Sequence, residues 1–74
     1  MGQTKMSRRE YKKTPIGSFV SFYKMPPEEP DVTVGKSYAV VDKYTNLFFF
    51  PGFLIVNDRG VYDKYLYNWF ASSE

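Results

Sequence analysis

The alternation of apolar and polar side chains predicts short strands and no long helix. From Ser18 to Lys24, the residues Phe19, Ser21 and Tyr23 alternate with Val20, Phe22 and Lys24, the pattern of a first strand with both faces partly covered. Met25 to Asp31 reads as a loop, because Pro26, Pro27 and Pro30 cannot donate ladder hydrogen bonds and favour polyproline-like geometry. Val32 to Lys36 re-enters the fold and turns at Gly35, and Ser37 to Tyr44, rich in Tyr and Val, is the clearest second strand. Thr45 and Asn46 form a polar break, and Leu47 to Phe50 is apolar. Pro51-Gly52 is a turn signal, and Phe53 to Val56 is a third strand. Asn57-Asp58-Arg59-Gly60 has the chemistry of a tight hairpin turn, with Asx side chains that bond their own backbone and a Gly that supplies positive φ. Val61 to Tyr65 is the fourth strand, Leu66 to Phe70 has room for one 3₁₀ turn and a strand stub, and Ala71 to Glu74 is a tail. Period two puts Tyr38 with Val40, and Phe53 with Ile55, on one face, so these four are the expected core. Four or five short strands with regular turns imply an all-β barrel or sandwich.

Met1 to Thr14 lacks sustained periodicity. It is either a disordered arm or one or two helical turns around Ser7 to Lys13, which Pro15 would stop. The organisation is therefore a flexible basic arm over 1–14 and a β domain over 15–74. The charge follows the same division. Lys5, Arg8, Arg9, Lys12 and Lys13 against Glu10 give the arm a net +4, while residues 15–74 carry −2. Phosphate contact through the arm is open to the chain, but the body offers no basic surface to extend it.

At 74 residues a single core is barely sufficient, and neither cysteine nor histidine is present to add a disulfide or a soft metal site. Seven Phe, seven Tyr and one Trp take that place, each burying on the order of 150–250 Å². The missing cysteines fit a cytoplasmic protein. No apolar h-region follows the basic N-terminus, and the longest apolar run, Leu47 to Val56, is half the roughly 20 residues that span a bilayer, so no membrane association is expected.

Catalytic chemistry is poorly supplied. Without His and Cys, the usual general base and the thiol nucleophile are missing, and Asp31, Asp42, Asp58 and Asp63 read as turn, loop or edge charges. Val34-Gly35-Lys36-Ser37 looks like the end of a phosphate-binding loop. Pro30 stands where such a loop needs its first Gly, however, and a strand follows where it needs a helix. The expectation is a protein that is not an enzyme and takes no cofactor and no metal.

One resemblance goes further. Thr33, Gly35, Lys36, Tyr38 and Val40, then Asn57, Asp58 and Gly60, then Tyr65 and Phe70 resemble the pattern of small SH3-like barrel proteins of phages and prophage-carrying bacteria. The likeness covers about half of the chain and implies an SH3-like barrel of about five short strands. It implies a phage setting too, but no particular activity. The Phe-rich stretch before Phe53 and the basic arm depart from the pattern.

Two functions from different classes follow. In the leading one the chain is a protein-interaction module that binds and modulates or inhibits a host protein, such as a defence factor. Strand alternation turns one of Phe48 and Phe49 outward, and Tyr62 and Trp69 complete an aromatic docking patch. In the alternative the chain binds nucleic acid, with Arg8, Arg9, Lys12 and Lys13 on phosphates and Tyr11 stacked on a base.

Overall fold

A computed structural model describes residues 4–26, 31–46 and 49–73. They form helix α1 (Arg8–Lys13), strands β1 (Phe19–Ser21), β2 (Ser37–Asn46), β3 (Phe49–Val56) and β4 (Tyr62–Leu66), and a 3₁₀ turn over Tyr67–Trp69. The strands make one antiparallel sheet in the order β1-β2-β3-β4. The all-β expectation holds in this form: four strands, one short helix, and no α-helix among the described residues after Pro15. Isolated bridges join Phe22 to Phe70, Phe22 to Val34, and Lys5 to Ala71.

The expected inward face is correct. Tyr38, Val40, Phe53 and Ile55 are all buried, together with Val20, Phe22, Tyr65 and Phe70. Phe22 stacks on Phe70 at 4.4 Å between ring centres and meets Tyr65 edge-on at 5.0 Å, while Phe53 meets Phe70 edge-on at 5.2 Å. Aromatic pairs in these offset and edge geometries add stability beyond the area they bury.

The Asn57–Gly60 turn also forms as read. Asn57 Oδ1 accepts the N–H groups of Arg59 and Val61, and Gly60 adopts φ +79°, where a Cβ would be strained.

Two expectations change. Pro51-Gly52 is not a turn: it lies inside β3, and the chain reverses after Asn46, which pairs with Phe49. From Asn46–Phe49 to Tyr44–Gly52 the ladder advances two residues on β2 and three on β3, so β3 carries an extra residue there. A proline, which lacks the N–H, is tolerated at such a bulge. Gly52 is needed for a separate reason. A Cβ there would run into the backbone carbonyl of Tyr65 on β4.

The second change concerns the arm. Residues 8–13 form a helix, with Ser7 as N-cap accepting the Glu10 N–H at 3.1 Å. Six residues cannot hold a helix in water alone; this one is held by docking. Tyr11 is only 1% exposed, and Met6 is buried with it. The Tyr11 ring lies 5.0 Å from Phe53 and 5.3 Å from Tyr67. Its hydroxyl donates to the carbonyls of Tyr44 (2.8 Å) and Gly52 (3.2 Å), next to the bulge. Lys43 Nζ donates to the Tyr11 carbonyl at 2.8 Å, placing a cation at the helix C-terminus, where the backbone dipole favours it. The described part of the arm is thus docked on the core through Met6 and Tyr11.

Candidate functional site

Three arrangements stand out. The first is a polar clasp at the β3–β4 turn. Asp58 accepts hydrogen bonds from Lys36 Nζ (2.7 Å), Thr33 Oγ1 (2.7 Å) and the Tyr38 hydroxyl (2.8 Å). Its backbone N–H reaches the Asp31 carbonyl. The Lys36 ammonium, then the Thr33 and Tyr38 hydroxyls, hold the Asp58 carboxyl down at about 2, and Asp58 in turn raises Lys36. Five residues of the quoted pattern thereby acquire one physical reason. Thr33, Lys36 and Tyr38 are donors to Asp58, and Gly35, at φ +86°, turns the chain between Thr33 and Lys36. The clasp ties the loop before β2 to the β3–β4 turn.

The second arrangement joins the chain's two ends. Glu10 is buried, yet its carboxylate accepts the hydroxyls of Ser72 (2.6 Å) and Ser73 (2.8 Å) and the Ser73 N–H (2.7 Å). Burial alone would raise this carboxyl, but the three donors outweigh it and hold it below its ordinary value. The bonds fasten α1 to the C-terminal segment.

The third is the outer face of the sheet. Phe19 pairs with Ala39, and Val56 pairs with Tyr62. The Val40–Ile55 pair points inward one step along, which sets Ala39 beside Val56 on the outside. The result is an apolar row across all four strands, with Phe19 72% and Tyr62 66% exposed. Sequence alternation pointed to outward residues but not to this row, because Phe19 and Tyr62 are neighbours only through the sheet.

Of the sequence-predicted docking residues, Tyr62 and Trp69 lie at opposite ends of β4. Tyr62 is exposed on β4. Phe48 lies outside the described residues, and Phe49 opens β3. Trp69 is half-buried against the core in the 3₁₀ turn. The reading that Trp69 points outward assumed strand alternation up to Phe70, and a 3₁₀ turn breaks that alternation. Of the proposed phosphate and base contacts, Arg8, Arg9, Lys12 and Lys13 are exposed on α1. Tyr11 is in the core and cannot stack on a base. Glu28 and Glu29 lie outside the described residues.

The other described carboxylates are also engaged. Asp42 and Asp63 each accept the N–H of the next residue, and Asp31 lies 3.6 Å from Arg59. Ser37 begins β2, so no helix follows Gly35-Lys36-Ser37. Among the described residues, no acidic cluster could hold a metal ion, and no helix is long and apolar enough to cross a membrane. No protein family, no curated protein and no solved structure matches the chain.

Proposed function

We propose that the chain is a non-enzymatic protein-interaction module that docks through the outer face of its sheet. The observation that carries this reading is the Phe19–Ala39–Val56–Tyr62 row. Two large aromatic side chains stand more than half exposed on the sheet, with β-branched Val56 paired to Tyr62. Apolar surface held open in this way favours association, and aromatic residues are frequent anchors of protein interfaces. The partner is a protein with a complementary apolar surface, and in the phage setting of the resemblance it is a host protein that the module modulates or inhibits. The same resemblance favours an SH3-like barrel. The bridges from Phe22 to Phe70 and from Lys5 to Ala71 support it, since they bring the segment after β4 back toward β1 as a fifth short strand would.

The test is capture from host lysate by the immobilised wild-type protein, followed by affinity measurement on the captured partner. Tyr62→Ala and Phe19→Ala should each weaken binding by about 2 kcal/mol, if they act as hot spots. Tm should stay near wild type, because neither side chain fills a cavity. Undiminished affinity in the double variant would reject the outer face as the docking surface.

A further inference from the structure

A small pocket on another side of the molecule is lined by Lys5, Tyr23, Lys24, Asn68 and Trp69. Three chain segments build it. The Phe22–Phe70 bridge places Tyr23 beside Trp69, and the Tyr23 N–H donates to the Trp69 carbonyl at 3.2 Å. The Lys5–Ala71 bridge brings Lys5 to the same place. The Lys24 ammonium lies over the Trp69 ring, 5.3 Å from its centre. Both rings are half-buried; Trp69 packs against the core, and each ring still presents part of its surface.

The described cations divide into those matched to a carboxylate or a helix end and those that are not; Lys64, over the Tyr44 ring, is among the latter. Lys36 and Arg59 are matched to Asp58 and Asp31, and Lys43 serves the end of α1. No described carboxylate pairs with Lys5 or Lys24, nor with Arg8, Arg9 and Lys12 on the helix that begins three residues after Lys5. Two lysines without a described carboxylate partner, two half-buried aromatic rings and one amide therefore line the pocket together. Its volume, about 170 Å³, is well below that of pockets that enclose a free small molecule, roughly 300–1,000 Å³, and suits one unit of a longer polymer.

We infer that this pocket binds one nucleotide of a single-stranded nucleic acid. The base stacks on Trp69 or Tyr23, Asn68 offers its amide to the base edge, and Lys5 and Lys24 hold the flanking phosphates. Arg8, Arg9 and Lys12 extend the phosphate track along α1. An unpaired strand fits better than a duplex, because stacking needs a free base face and the six-residue α1 is too short to read a major groove. An anion would draw Lys24 off the Trp69 ring and free that ring for the base. The stacking role expected of Tyr11 thus passes to residues distant in sequence from the arm.

Trp69 is the only tryptophan in the sequence, so its emission reports this pocket directly. Oligo(dT) and oligo(rU) of about ten nucleotides, within the site sizes of single-strand binders, should quench it saturably, with affinity falling as salt rises. Lys5→Gln and Lys24→Gln, both at exposed positions, should each weaken binding and reduce the salt slope by about 0.7. Trp69→Ala, followed by anisotropy of a labelled strand, should lose roughly 5- to 150-fold. Tyr62→Ala should leave strand binding unchanged, which separates this site from the outer face. The inference is overturned if no quenching occurs, or if both lysine variants bind as wild type. It is equally overturned if a duplex or inorganic polyphosphate of equal charge binds as tightly as the single strand.

Discussion

Replacing Tyr11 tests whether the N-terminal helix belongs to the core. Two substitutions separate the ring from its hydroxyl. Tyr11→Phe keeps the packing against Phe53 and Tyr67 but removes the donor shared by the Tyr44 and Gly52 carbonyls. Losing one partner of a buried hydrogen bond costs about 1–3 kcal/mol. In a domain of this size each kcal/mol moves Tm by about 4–8 °C, so a loss of several degrees or more is expected. Tyr11→Ala also removes a ring that is 1% exposed, at a cost of about 3–5 kcal/mol for an aromatic truncation. With total stability on the order of 0.05–0.15 kcal/mol per residue over 74 residues, that is a large share of what holds the fold. Thermal and urea melts followed by circular dichroism give both numbers. Burial also raises the Tyr11 phenol above 10.0. Its contribution is therefore complete below that value and is lost as pH rises through the folded pKa. Wild-type melting in Tyr11→Ala would refute the docked helix and restore residues 1–14 to a free arm.

Gly52→Ala should destabilise the fold by about 1–3 kcal/mol in urea melts, because the new methyl meets the Tyr65 backbone, which cannot move without disturbing β4. Asp58→Asn removes the charge of the clasp and one of its two acceptor oxygens, and its effect should depend on pH. The Asp58 carboxyl is lowered from 3.8 to about 2, so its contribution is present above 3.8 and fades as pH falls through the folded value. The Tm gap between wild type and Asp58→Asn should therefore narrow in acid; a gap that stays constant down to pH 2 would reject the clasp.

The sequence by itself determined what depends on neighbours a few residues apart. Alternation over Tyr38 and Val40, and over Phe53 and Ile55, marked the inward face, because a strand repeats every two residues wherever it lies. Asn57 to Gly60 specified its own turn through local hydrogen bonds and a left-handed glycine. Ser7 and Pro15 set the limits of a helix that the sequence left as one of two options. Only the tertiary structure decided the rest, because each of these outcomes depends on a partner distant in the chain. A six-residue helix persists only with Tyr11 seated against Phe53 and β3. Pro51-Gly52 carries the same turn chemistry in either setting, and the close approach of Tyr65 makes it a bulge in a strand. Thr33, Lys36 and Tyr38 reveal no common purpose until the β3–β4 turn brings Asp58 to them. The outer row and the Trp69 pocket follow the same rule. Phe19 and Tyr62 share a surface through the sheet, and Lys5 reaches Trp69 through a bridge across more than sixty residues of chain, a separation at which no periodicity carries information.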